Sequence, residues 1–165
     1  MRSYFIFLLF FSINVFASVS DVKLREKYKD WLVYTALEDG EKICYIVSYP
    51  KKKSENYTTN RKPYVTVSYI SKKVDEVSIN SGFQYDKEPV ILNIDKKIKY
   101  KLPIIEGNFA WAEDTEIDQD LIQKMKKGLS MVSSGKIKAT IVTDTYSLLG
   151  FQEAYKKMHN LCNRN

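Results

Sequence analysis

Apolar residues recur along the chain in three rhythms, and each predicts a different element. From Tyr4 to Phe16 the run is nearly unbroken, interrupted only by Ser12 and Asn14. From Trp31 onward, short stretches alternate apolar with polar, the two-residue period of a strand with two unlike faces. Near the end, apolar positions fall three and four apart, the period of a helix. The alternation predicts strands near residues 31–36, 43–49, 64–70, 76–83, 90–94, 98–102, 109–111, 130–132 and 137–143. Asp39-Gly40 closes the first two into a hairpin, since that pair suits a tight turn. Ser133-Ser134-Gly135-Lys136 is the predicted turn of the last hairpin. Residues 18–30 are charged and predict a short helix or a loose arm.

Two helices complete the pattern. Asp118 is placed to cap one over 118–127, with Leu121, Ile122 and Met125 on one face. Lys124, Lys126 and Lys127 lie at its carbonyl end, where the helix dipole favours cations. Gly128 follows, where a left-handed residue commonly closes a helix. Ser147 is placed to cap the second, whose apolar face is Leu148, Phe151, Tyr155, Met158 and Cys162. Short strands without regularly interleaved helices argue against a parallel sheet. The predicted fold is mainly β: an antiparallel sandwich of about eight or nine strands with two short helices, the last C-terminal.

The opening run is read separately from the fold. Arg2 supplies a positive start, and Val15-Phe16-Ala17 places small residues where signal peptidase requires them. The run falls short of the roughly 20 residues that span a bilayer. Residues 1–17 are therefore expected to be a signal peptide cut near Ala17, leaving 18–165 as a single β-rich domain. No later segment is apolar enough to span, so the mature chain is expected to lack a transmembrane segment. No Cys follows the run, so lipoprotein processing is not indicated. The expected location is the periplasm, the outer envelope or the medium.

Charge changes this picture only slightly. The chain is 44% hydrophobic and carries a formal net charge of +6, an ordinary globular balance with a mild preference for anionic surfaces. Lys51, Lys52, Lys53, Arg61 and Lys62 concentrate in one polar connection. That loop is a candidate anion-binding site, weighed against the solvated loop such runs usually form. Lys97, Lys99 and Lys101 alternate with Ile98, Tyr100 and Leu102, as in a strand whose lysines guard an exposed edge. Glycines are scattered and form no phosphate loop, so no cofactor is expected. No basic, aromatic-interleaved helix points to nucleic acid.

The chemistry-bearing residues are few. His159 is the one histidine, three residues before Cys162, so a thiolate–imidazole pair can be drawn. Two thiols and one imidazole fall short of a four-ligand zinc set, and no metal is expected. In an oxidising compartment Cys44 and Cys162 are more simply a disulfide, from the last helix to the opening hairpin. Closing so large a loop stabilises a fold by about 4 to 5 kcal/mol in the chain-entropy model. Glu113, Asp114, Glu116, Asp118 and Asp120 crowd one helix start. Paired carboxylates can cleave glycosidic bonds or hold calcium, but acids also cap helices, and the spacing is not that of a calcium loop.

Several segments together resemble one family. They are Asp30-Trp31-Leu32-Val33-Tyr34, Cys44-Tyr45 with Ser48 and Pro50, Ala110-Trp111-Ala112, and Met125-Lys126-Lys127-Gly128. The last is Thr143-Asp144-Thr145-Tyr146-Ser147-Leu148-Leu149-Gly150-Phe151, with Ala154 and Cys162. Their order and spacing resemble the invasion-associated locus B family of small exported bacterial proteins. The resemblance implies a β-rich fold, an envelope or secreted location, and for some members a link to host-cell invasion and virulence. It implies no known enzymatic activity. Thr35 departs from the family pattern by standing where a Cys is expected, which removes a hairpin disulfide and turns Cys44 toward Cys162. The expectation is a non-enzymatic exported protein that binds a protein partner in the envelope or on a host cell. The alternative is an envelope-structural or stress factor whose basic loop contacts anionic lipid or polysaccharide.

Overall fold

The computed structural model describes residues 19–54, 60–69 and 74–163. The expected signal peptide and the middle of the basic loop lie outside the described residues. Among the described residues twelve strands form two antiparallel sheets. Strands β1 (Val19–Tyr28), β2 (Trp31–Glu38), β3 (Glu41–Ser48), β5 (Tyr64–Tyr69), β6 (Asp75–Asn80), β9 (Ile104–Glu106) and β10 (Phe109–Trp111) make the larger sheet, in the order β1-β2-β3-β5-β6-β10-β9. Strands β4 (Lys52–Lys53), β7 (Val90–Ile94), β8 (Ile98–Leu102), β11 (Ser130–Ile137) and β12 (Thr140–Ser147) make the smaller, in the order β4-β12-β11-β7-β8. Helices α1 (Thr115–Lys127) and α2 (Phe151–Cys162) complete the fold.

Alternation decides which side chains meet. Trp31, Val33, Ile46, Val65, Val67, Val77 and Ile79 point inward from the larger sheet, and Leu92, Ile94, Met131, Val142 and Tyr146 from the smaller. Leu121, Ile122 and Met125 of α1 and Phe151, Ala154 and Met158 of α2 join the same core. Trp31 meets Phe151 edge-on at 4.8 Å and donates its indole N–H to the Ser147 carbonyl. The sheets are also joined by charge. Arg61, 2% exposed, makes two bonds to Asp144 of β12, at 2.8 and 2.6 Å, and donates to the Ser81 carbonyl.

The structure departs from the sequence expectations in definite places. Residues 19–28 are a strand, not a helix or arm. β1 pairs with β2 through two register shifts, and Asp21 adopts a positive φ of 50° at the first. Ser133 to Lys136 form no turn. β11 runs straight through them and turns at Lys138–Ala139, both with positive φ. The Asp86 carboxylate accepts both of those backbone N–H groups, which holds the left-handed turn without glycine. Gly135 is needed inside the strand because a Cβ there would lie 2.4 Å from the Tyr85 ring.

The helix ends are also reassigned. Asp114, not Asp118, caps α1 by accepting from the Ile117 N–H. Gly128 is extended (φ −82°) rather than left-handed. Gly150, not Ser147, precedes α2, at φ 87°, because the Tyr28 carbonyl passes where a Cβ would stand. The Ser147 hydroxyl instead accepts from the Leu149 N–H.

Candidate functional site

The outward face of the larger sheet carries a row of aromatic rings. Trp31, Val33 and Thr35 of β2 point inward, so Tyr34 must point outward. The same alternation turns Tyr45 of β3, Tyr64 of β5, and Phe109 and Trp111 of β10 outward. Register then brings rings from different strands together. Tyr34 is directly opposite Tyr45 and stacks on it at 5.4 Å. Tyr49, just past β3, meets Tyr64 edge-on at 6.4 Å. Tyr64 meets Phe109 at 6.2 Å, and Phe109 stacks on Trp111 at 5.4 Å.

The two tyrosine pairs bound a groove of about 360 Å³ lined by Val22, Tyr34, Tyr45, Val47, Tyr49, Tyr64 and Thr66. Tyr49 is 54% exposed at its rim. Burial raises the Tyr45 phenol pKa, and the neighbouring phenols of Tyr34, Tyr49 and Tyr64 raise it further. Tyr64 is likewise raised by burial, against a bond from the Asn80 amide that lowers it. The four side chains together form an aromatic wall that carries phenol hydroxyls.

Of the residues singled out from sequence, the structure brings the two cysteines together and leaves the others apart. Cys44 and Cys162 form a disulfide with Cα atoms 5.9 Å apart. Thr35, where the family pattern suggested a Cys, lies directly opposite Cys44. His159 does not pair with Cys162. Its Nε2 lies 2.9 Å from Asp75 Oδ1, and the Tyr155 hydroxyl donates to the same carboxylate. The Tyr69 ring packs edge-on against the imidazole at 4.6 Å.

One member of the basic cluster leaves the surface. Arg61 is in the core, so it departs from the exposed cluster expected. Lys51 pairs with Asp30, and Lys53 donates to the Arg61 carbonyl. Lys51, Lys52, Lys53 and Lys62 all remain exposed.

The acidic cluster is split as well. Glu116 and Asp120 line an open depression of about 480 Å³ with Asp75 and Tyr155, while Asp118 is buried beneath α1. Asp118 accepts from the Val77 N–H at 3.1 Å. Burial pushes its carboxyl up to about 7, that bond pulls it down, and Glu76, Asp114 and Asp75 raise it. Among the described residues no three His, Cys, Asp or Glu side chains are placed so that they could hold a metal ion together.

These features define a disulfide-linked, mainly β protein of two sheets with a tyrosine-lined outer face. The chain belongs to the invasion-associated locus B (IalB) family, whose sequence profile matches residues 31–159. That is not an established enzyme family. Among solved structures, invasion-associated protein B from Bartonella henselae is similar, with a TM-score of 0.63 and 18% identity over 86% of this chain and 100% of that one. At that identity the likeness is one of fold. No curated protein matches the chain.

The tyrosine groove was missed by sequence reasoning. Its signal was present in the alternation of Tyr34, Tyr45 and Tyr64, but only register across three strands joins them.

Proposed function

We propose that this chain is an exported, non-enzymatic envelope or secreted protein that binds a protein partner through the tyrosine groove, and so contributes to host-cell interaction. The observation that carries the reading is the convergence of Tyr34, Tyr45, Tyr49 and Tyr64 on one outward groove. Tyrosine gives large contact area at small entropic cost and is enriched where partners bind tightly. Family membership supports the link to invasion. Export is supported by the disulfide. The non-enzymatic part is supported by the engagement of several candidate groups: both thiols in a disulfide, His159 on Asp75, and Asp118 on a backbone N–H.

Site-specific photo-crosslinking on intact cells tests it. A photoreactive residue at Tyr49 is expected to give a discrete protein adduct, and one at Ile141 on the smaller sheet none. The Tyr49 adduct should disappear when Tyr34 and Tyr45 are replaced by Ala. Equal labelling from both positions, or an adduct indifferent to those replacements, contradicts the reading.

A further inference from the structure

One end of the molecule gathers a second kind of surface from separate loops. The Lys29–Asp30 turn, the Asp95–Lys97 turn, Gly128–Leu129 and Leu148–Gly150 all meet there. Backbone bonds tie them together: Leu148 N–H to the Leu129 carbonyl, Asp95 N–H to the Ser130 carbonyl, and Asp30 N–H to the Leu149 carbonyl. Leu129 is 68% exposed and Leu149 46%, and Ile98 beside them is also exposed. Lys29, Lys96, Lys97 and Lys127 are exposed around this end. None of the four forms an ion pair with a described carboxylate.

The acids at this end are already committed. Asp95 accepts from the N–H groups of Leu129 and Ser130, and Asp30 pairs with Lys51. That lysine, with the Ser147 hydroxyl, holds the Asp30 carboxyl below its usual range. The cations are therefore left to face outward.

The backbone is equally prepared. The Leu129 and Leu149 N–H groups are bonded to Asp95 and to the Ser147 hydroxyl, and both leucine carbonyls accept a bond. Single exposed leucines are ordinary. Two on hydrogen-bonded neighbouring loops, with satisfied backbone and surplus lysines, can enter an apolar medium without stranding an amide.

We propose that this end of the molecule docks on an anionic phospholipid bilayer, with Leu129 and Leu149 in the headgroup–acyl boundary and Lys29, Lys96, Lys97 and Lys127 against lipid phosphates. A bilayer fits better than a soluble polyanion because charge alone leaves the protruding leucines unexplained. It fits better than a rigid protein groove because long lysine stems around an apolar tip suit a deformable surface, where they keep their heads at the interface. The inference uses other residues than the tyrosine groove and stands apart from the proposed function.

Co-sedimentation of the disulfide-intact protein with vesicles tests it. Vesicles of phosphatidylcholine carrying about one-third phosphatidylglycerol should bind the protein, and pure phosphatidylcholine should not. Lys96→Gln with Lys97→Gln should weaken binding about fivefold per lysine. Leu129→Ser with Leu149→Ser should abolish it, while Ile141→Ser should leave it unchanged. Should the double serine variant fail to fold, Leu129→Trp decides the point. Its fluorescence should be quenched by brominated lipid tails. Absence of wild-type binding, absence of quenching, or a folded double serine variant that binds normally overturns the proposal. So does tighter binding to dextran sulfate than to the vesicles.

Discussion

Asp118 gives the sharpest quantitative prediction. It is 5% exposed, on the inner side of α1, and accepts from Val77 where the β6 ladder with β10 has already ended at Trp111–Ser78. The carboxylate thus replaces a missing strand partner, at the cost of a buried charge. Its pKa stands near 7 in the folded protein against 3.8 in the open chain. The folded state therefore holds this proton across a range in which the unfolded state has lost it. Stability from this group is greatest below about pH 4, falls as pH rises, and levels off above about pH 7. The full span is on the order of 4 kcal/mol at 1.36 kcal/mol per unit. Asp118→Asn keeps an oxygen for the Val77 N–H and removes the charge. The variant should match wild type near pH 4 and become the more stable protein by a few kcal/mol at pH 8. Urea melts of both proteins from pH 4 to pH 8 measure this, and their difference isolates Asp118 from the other titrating groups. A difference that stays flat with pH, or that favours wild type at pH 8, refutes the reasoning.

Three further outcomes are expected. Replacing Cys44 and Cys162 together by Ser should cost about 5 kcal/mol, the loop-entropy value for their spacing, read as a lower urea midpoint. Arg61→Met alone should destabilise by about 3 to 5 kcal/mol because Asp144 is left buried and unpaired, and joining it with Asp144→Leu should recover much of that in the same melts. Gly135→Ala should cost about 1 to 3 kcal/mol by driving a methyl into the Tyr85 ring, and Tyr85→Leu should relieve it in a double-mutant cycle.

Much of the fold was legible in the sequence because burial imposes the two-residue period directly. Trp31 to Ala36 and Tyr64 to Tyr69 show it, and Val90 to Ile94 is legible as a short apolar run; all are strands with one face in the core. The misreadings share another cause. β1 is exposed for most of its length, so no apolar period marks it, and pairing with β2 alone makes it a strand. Gly135 looked like a turn residue because its real reason, the Tyr85 ring, is fifty residues away in sequence. Arg61 looked exposed because its partner Asp144 lies on the other sheet. Local pattern reports propensity and burial, not long-range partners. The tyrosine groove is invisible to it for that reason, since each strand contributes only a ring or two.

Export and the covalent link between β3 and α2 stand or fall together, because the disulfide needs an oxidising compartment. The most direct measurement is intact mass and N-terminal sequencing of the protein from fractionated cells, alkylated without reductant. The expected product begins at Ser18, lies outside the cytoplasm, and takes up no alkylating groups. A full-length cytoplasmic product carrying two alkylated cysteines contradicts the account.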